Sequence, residues 1–489
     1  MLDLLPTDGK VSKGAMYIDG AWRHATDRPL IEVENPANEE TIATIPEGTS
    51  DDALEALAAA HRAQPTWAVL PAIERGRLVA KLADAVAANA ERLATIITME
   101  QGKPISQARG EVGAVETFLR YAVSHARSIS GDVQRSDSTN EEIHLRRHPY
   151  GVVVGLTSWN YPAALVTRKL GPALVTGNTF VLLAHEITPL SGLEIARLAH
   201  EVGIPKGIFN VVTGRGRVVG QAMVESPLTG LVTMTGSTRA GREIYRAGAD
   251  TLKVLRLELG GKAPFIVMED ADIDKAVAAA VTARFTNCGQ ICTCNERMYL
   301  HRDIADEFLD KFVRATKALS IGDPMKDSDI GPKVSGVEVE KVKEIVDRNV
   351  SEGAEVLLEG GPLNEGQYAK GHWYAPSVLS VASNAAPLMQ EEVFGPVVAA
   401  LRVDSFEEAI AHANDTEFGL SAFLFTNDIK RMMRAPYELK FGEIYFNRAN
   451  GESVQGFHTG WGHSGLGGED GKYGFDGYLR KQTTYVNWG

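Results

Sequence analysis

The chain has 489 residues, 44% hydrophobic and 23% charged, and 50 basic against 63 acidic side chains leave a net charge of −13. These proportions are those of a soluble globular protein, exclude a disordered, collagenous or disulfide-stapled chain, and at this length suggest two to three domains. The acidic balance argues against a protein that coats nucleic acid by neutralising phosphates, and no apolar run reaches the ~18 to 20 residues of a membrane span.

The N-terminus, MLDLLPTDGK, lacks the basic-then-apolar pattern of a secretory leader. All three cysteines, Cys288, Cys292 and Cys294, lie in one short segment. A disulfide framework needs staples spread along the chain, so a reducing, cytoplasmic setting is expected. The C-x3-C-x-C spacing is no zinc knuckle and the next histidine is His301, so no metal site is expected. A single reactive thiol with two bystanders is the sharper reading.

In chain order, the first 130 residues read as a short hairpin and then helices. Ser50, followed by Asp51 and Asp52, marks a helix start. Leu54, Leu57, Ala58 and His61 give that helix a face, and Leu78, Leu82, Val86, Leu93, Ile96 and Ile97 mark a second helical stretch. From residue 150 short apolar runs recur: Val152 to Leu156, Phe180 to Leu183, Ile208 to Val212, Leu231 to Met234 and Val254 to Leu257. Continuous runs of this kind belong to strands covered on both faces. Their alternation with helices implies right-handed crossovers and a parallel, doubly wound α/β sheet. The alternation restarts after residue 260 with Phe265 to Met268, Met298 to Leu300, Val356 to Leu358 and Ile444 to Phe446, which suggests a second α/β domain. Glu142 to Arg147 and Thr483 to Val486 are strand-like, fit neither sheet, and are expected to pair with another subunit.

Ligands of such sheets bind beyond the carboxyl ends of the strands. The first run leads into TSWNYP, with Asn160 near the strand end and Pro162 suited to the first helical position. The second leads into AHEITP, where Glu186 is either a ribose-binding or a solvated acid. The third and fourth lead into TGRGRVVG and TGSTRAG, whose Gly214, Gly216, Gly220, Gly236, Ser237 and Gly241 can bring backbone N–H groups to phosphates. The fifth leads into LELGGK. Glu258 there has apolar sequence neighbours, so a raised pKa and a general-base role are expected. Cys292 follows in FTNCGQICTCNER, where a thiol entering one domain can meet an acid leaving the other.

TSWNYP, GSTRAG, ELGGK, GQIC and EEVFGP, in this order over essentially the whole chain, resemble the aldehyde dehydrogenase superfamily. The resemblance implies a doubly wound NAD-binding domain (1–129 and 150–260), an α/β catalytic domain (261–462) and a small oligomerisation sheet (130–149 and 463–489), in a homodimer or homotetramer. It implies that Cys292 is the nucleophile, Glu258 the general base and Asn160 the oxyanion donor, with Lys169 and Glu469 supporting proton transfer. Around NAD it places Glu186, Gly236 and Ser237 on the adenosine and pyrophosphate side and Glu392 and Phe394 on the nicotinamide-ribose side. Ser158, Trp159, Leu183, Gly216, Gly220 and Leu259 complete the cofactor set. Members that pass the acyl group to coenzyme A generally lack the acid at Glu258, so a free carboxylic acid is the expected product.

At the substrate mouth, Arg168, Glu452 and His458, the last within GFHTGWGHSGLGGE, resemble the polar set of lactaldehyde and glycolaldehyde dehydrogenases. Such groups bond an α-hydroxyl and penalise plain alkanals. An Arg168–Glu452 structural ion pair is the competing reading, and a semialdehyde is the alternative substrate class. Two positions depart from the family pattern. Ser158 stands where most relatives have proline. Leu183 replaces a lysine that contacts the adenosine ribose, which predicts NAD preference with weakened affinity. It also leaves a non-catalytic structural or binding member as the alternative function.

Overall fold

The computed structural model describes residues 11–24, 27–326 and 328–489; the segment MLDLLPTDGK lies outside them. An eight-stranded sheet runs Gly465–Leu466, Val254–Glu258, Thr229–Thr235, Val152–Leu156, Thr179–Leu183, Phe209–Val212, Met16–Ile18, Ala21–Arg23. Its five central strands are parallel and its flanking strands antiparallel. Val152–Leu156 and Thr179–Leu183 are buried at every residue, which is why their sequences show no alternation. The chain builds outward from Val152–Leu156 in one direction and then in the other. The order therefore reverses between that strand and Thr229–Thr235, which opens a crevice beyond their carboxyl ends.

A second sheet of seven strands runs Glu355–Leu358, Ser377–Ser380, Val397–Val403, Asn295–His301, Ala263–Val267, Ser421–Phe425, Glu443–Phe446. All neighbours are parallel except Glu355–Leu358, an antiparallel edge. Ser377–Ser380, Val397–Val403 and Ser421–Phe425 add to the expected strands. The third sheet is Asp132–Arg135, Glu141–Pro149 and Leu479–Asn487. Glu142 to Arg147 and Thr483 to Val486 pair antiparallel with each other, which leaves Leu479–Asn487 as an edge strand of this sheet. Gly465–Leu466, assigned by sequence to the small sheet, instead closes one edge of the eight-stranded sheet against Glu258 and Leu257.

The first long helix, Ser50–Ala68, is capped by Thr49 rather than Ser50: the Thr49 hydroxyl accepts from the Asp52 N–H while Asp52 accepts from the Thr49 N–H at 2.8 Å. Its buried face is Ala53, Ala56, Leu57 and Ala60, with Leu54 44% exposed. The alanines win over the expected face because the helix lies directly against the Thr179–Leu183 and Phe209–Val212 strands. The second helical stretch breaks at Asn89 into Ala72–Ala88 and Ala90–Gln101. Among the described residues no helix is long and apolar enough to cross a membrane.

Pro162 falls in the turn before the helix Ala164–Val175, not at its first position. The helix start is satisfied by a distant carboxylate. Glu111, in Ile105–Ser124, accepts from the Ala163 and Ala164 N–H groups at 2.9 and 3.1 Å. Glu111 also pairs with Lys103 at 2.6 Å, both side chains being at most 1% exposed. Lys103 in turn donates to the Asn160 carbonyl at 2.7 Å. Removing one member of a buried pair leaves an uncompensated charge, a loss of about 3–5 kcal/mol. Glu111→Ala is therefore expected to lower the unfolding midpoint sharply in a denaturant melt; an unchanged midpoint would show that the pair contributes nothing.

Candidate active site

Between the two large sheets the chain passes from Glu258 to Ala263 through Leu259, Gly260, Gly261 and Lys262. Both glycines are required there by close approach. A Cβ at Gly261 would lie 2.2 Å from the Cys292 carbonyl oxygen, and one at Gly260 would lie 2.6 Å from a Glu392 carboxylate oxygen. The same carboxylate accepts from the Gly261 N–H at 2.7 Å. Burial pushes the Glu392 carboxyl up to about 8.

Cys292 follows a turn in which Asn287 and Cys288 are left-handed, at φ 52° and 55°. Packing enforces the strain: the Asn287 amide donates to the Asn160 carbonyl at 3.1 Å and its N–H donates to Gln107 at 2.8 Å. Cys292 is partly exposed, while Cys288 and Cys294 are buried. Burial and the neighbouring Glu258 raise the Cys292 pKa, against a lowering contact with His458, so the resting group is a thiol. The Asn160 amide donates to the Gln290 carbonyl at 3.0 Å, which orients it and leaves its second N–H free of that bond.

Cys292 and Asn160 line a cavity of ≈ 390 Å³ together with Ser158, Trp159, Gly236, Ser237, Leu259, Glu392 and Phe394. The Trp159 and Phe394 rings meet edge-on at 5.3 Å. The Phe394 loop is held by Glu296, which accepts from the Val393 and Phe394 N–H groups and from Lys262. This cavity shares Ser158, Trp159, Gly236 and Ser237 with a groove of ≈ 1620 Å³ that also takes in Leu183, Glu186, Gly216 and Gly220. All the expected cofactor residues thus line one continuous channel.

That channel suits a dinucleotide. Ser237 caps the helix Thr238–Ala249, whose N-terminus faces the groove, and a Cβ on Gly216 would meet no atom within 4 Å. Leu183 is 7% exposed and packs by Gly220, so it offers the groove only methyl groups. The groove still holds a cation that the sequence reading missed. Arg215 pairs with Glu186 at 3.0 Å and with Glu47 at 3.4 Å. Its only sequence signal is its place within TGRGRVVG.

On the other side of Cys292 lie Glu258 and His458, 2% and 1% exposed. Backbone bonds between His458 and Glu469 in both directions, 2.9 and 2.7 Å, fix the histidine. Its Nε2 is 3.3 Å from Glu258 and its Nδ1 is 3.1 Å from Glu443 and 4.0 Å from Glu452. These are ion-pair distances without hydrogen-bond alignment, so both ring nitrogens and both Glu258 oxygens lack a hydrogen bond. Burial, the largest influence, and Arg168 disfavour the imidazolium, yet Cys292, Glu258 and Glu443 together raise the His458 pKa well above its ordinary value. Glu443 went unnoticed in sequence because nothing local distinguishes it from a surface acid of the FGEIYF strand.

Two sequence expectations change here. The Glu258 pKa is lowered, not raised: burial is the largest effect and favours the neutral acid, but His458, Arg168 and Lys169 outweigh it. Its sequence neighbours are apolar; its spatial neighbours are cations. Arg168 neither pairs with Glu452 nor points a free guanidinium at the mouth. It is forked onto Asp470, with Nε at 3.0 Å, and approaches Glu469 at 3.4 Å. Lys169 donates to Glu469 at 2.5 Å and to Thr235 at 2.7 Å. Beyond the reach of cysteine spacing, Cys292, Glu258 and His458 bring ligand atoms within 4.8 Å of one another from three distant segments.

Residues 22–484 match the aldehyde dehydrogenase family. The chain is 46% identical to 3,6-anhydro-alpha-L-galactose dehydrogenase of Vibrio sp. (strain EJY3), over 97% of this chain and 99% of that protein. The solved structure of a 3,6-anhydro-L-galactose dehydrogenase in complex with NAP superposes with a TM-score of 0.95 at 47% identity, covering 97% of this chain and 100% of the other. The crystal structure of lactaldehyde dehydrogenase from Escherichia coli does so with a TM-score of 0.95 at 41% identity, covering 97% and 99%. The chain belongs to the aldehyde dehydrogenase family. It is an oxidoreductase that acts on an aldehyde with a nicotinamide cofactor.

Proposed function

We propose that this enzyme oxidises small hydroxylated aldehydes to free carboxylic acids, with Cys292 as nucleophile, Glu258 as base and Asn160 as oxyanion donor. The observation that carries the reading is the convergence of Cys292, Glu258 and His458 beside the ≈ 390 Å³ cavity. Cys292 gives its proton to solvent, and the sulfur bonds the aldehyde carbon as the carbonyl pair moves onto oxygen. The free Asn160 N–H and the Cys292 backbone N–H hold that oxyanion. Trp159, Glu392 and Phe394 would hold a nicotinamide, which would supply the acceptor for the hydride leaving the substrate carbon. The resulting Cys292 thioester is cleaved by water whose proton Glu258 removes. Lys169, paired with Glu469, helps keep Glu258 ionised for that task. On this reading residues 1–129 and 150–260 serve the cofactor, 261–462 the chemistry, and 130–149 with 463–489 the subunit contact, less the Gly465–Leu466 edge strand.

The mouth favours hydroxyl groups over a second carboxylate. Glu443 and Glu452 face His458 there, and two acceptors suit hydroxyl donors but repel the free end of a semialdehyde. The nearby Arg168, whose charge would otherwise offset that repulsion, is already bonded to Asp470. Lactaldehyde and 3,6-anhydrogalactose, named in the relatives, both carry a hydroxyl beside the aldehyde carbon. For the cofactor, Glu186 accepts from the ribose hydroxyls of NAD. Arg215, released from Glu186, supplies for a 2′-phosphate the charge that Leu183 lacks, so the channel takes both NAD and NADP.

Glu258→Gln should release a burst of about one equivalent of reduced cofactor per site and then turn over very slowly; a linear trace at the wild-type rate would remove Glu258 from deacylation. Lactaldehyde or glycolaldehyde should exceed propanal and succinic semialdehyde in kcat/KM by ~10- to 100-fold, and preference for the semialdehyde would reverse the substrate class. In calorimetric titrations Arg215→Ala should weaken NADP by roughly one to two decades, the worth of a charged hydrogen bond, and NAD far less. Equal losses for the two cofactors would place the 2′-phosphate elsewhere.

A further inference from the structure

Four buried atoms beside the thiol, the Glu258 oxygens and the His458 ring nitrogens, make ion-pair contacts but no aligned hydrogen bond. Buried polar atoms in that state are rare and call for a partner. The reaction gives Glu258 a proton to move, while His458, which helps keep Glu258 ionised, moves none. We infer that Cys292, Glu258 and His458 form an inhibitory site for a borderline-soft divalent cation of the Zn²⁺ type.

The donor set is one sulfur, one imidazole nitrogen and one carboxylate oxygen, which suits Zn²⁺ and not the oxygen-seeking Mg²⁺ or Ca²⁺. Tetrahedral zinc, with bonds of about 2.0–2.3 Å, requires ligand atoms roughly 3.3–3.6 Å apart. The His458 Nε2 to Glu258 Oε1 edge already measures 3.3 Å. The edges to sulfur are at most 4.8 Å and close by rotation of the partly exposed Cys292 side chain.

The surroundings complete the pattern. A metal-bound imidazole gives its other N–H to a carboxylate, which fixes the tautomer. Here Nδ1 faces Glu443 at 3.1 Å, and Glu443 is itself held by the Tyr445 hydroxyl at 2.8 Å. The nearest fixed cations, Arg168 and Lys169, are neutralised by Asp470 and Glu469. Three protein ligands leave the fourth position to water. Binding exchanges the Cys292 S–H bond for a Zn–S bond and the His458 Nε2–H bond for a Zn–N bond, releasing both protons to solvent, with no change of oxidation state.

The bound ion occupies the lone pairs of both nucleophile and base, so it shuts off oxidation until a chelator removes it. The inhibition rests on the proposed roles of Cys292 and Glu258; the binding does not. The test is titration of the EDTA-treated, desalted full chain with zinc sulfate against a chromophoric chelator, in parallel with iodoacetamide labelling and aldehyde oxidation. Expected are one Zn²⁺ per chain, protection of Cys292 from alkylation, and activity that falls with occupancy and returns on adding EDTA. Cys292→Ala and His458→Phe should each abolish this binding. Glu443→Gln should weaken it by ~10- to 100-fold, and Cys294→Ser should retain it. Absence of a one-to-one site, its survival in both Cys292→Ala and His458→Phe, or equal uptake of Mg²⁺ would overturn the assignment. One-to-one binding with these variant effects but undiminished activity at full occupancy would uphold the site and refute the proposed roles of Cys292 and Glu258 instead.

Discussion

A carboxylate removed from water dictates the polar architecture of this enzyme. Glu258 ends the last parallel strand of one sheet and is 2% exposed. Burial is the strongest influence on it and disfavours its charge, and the cations around it reverse that outcome. Each of those cations then needs an anion of its own. Lys169 takes Glu469, Arg168 takes Asp470, and His458 sits between Glu258 and Glu443. Charge compensation thus spreads outward in layers until it reaches water. Because an unpaired buried charge costs far more than a paired one, the network stands or falls together.

The second constraint is steric. The chain crosses between sheets in the four residues Leu259 to Lys262, and Cys292 and Glu392 press against that crossing from the other side. Side chains at Gly260 and Gly261 would force the two sheets apart and separate the acid from the thiol. The opposite wall is held as firmly: Lys103 and Asn287 both donate to the Asn160 carbonyl. The site is therefore assembled from rigid contributions of several segments, and its order comes from packing rather than from any single loop.

Much of the fold was legible because burial on both faces writes a simple signal. Runs such as Val152 to Leu156 and Phe180 to Leu183, recurring between helical stretches, read as strands of a covered parallel sheet. Interior strands of the second sheet, such as Val397–Val403 and Ser421–Phe425, carry a weaker signal, since a short apolar run without periodicity also suits a buried helix. Helix Ser50–Ala68 misleads for a related reason. Leucines usually mark the buried face, but a helix set close on a sheet buries alanines. Motifs were legible where one backbone path carries them, as in ELGGK and GQIC.

The amino-acid sequence by itself determined the parallel two-sheet plan and the family, and it singled out Cys292, Glu258 and Asn160 as candidates, because each signal is encoded within a few consecutive residues. Only the tertiary structure decided what surrounds them. Glu258 among apolar sequence neighbours lies among cations in space, Arg168 is spent on Asp470, Arg215 stands beside Glu186 where Leu183 offers nothing, and Glu443 backs His458. Ionisation and hydrogen bonding depend on distances of a few ångströms between segments up to three hundred residues apart, such as Arg168 and Asp470. No local pattern records such distances.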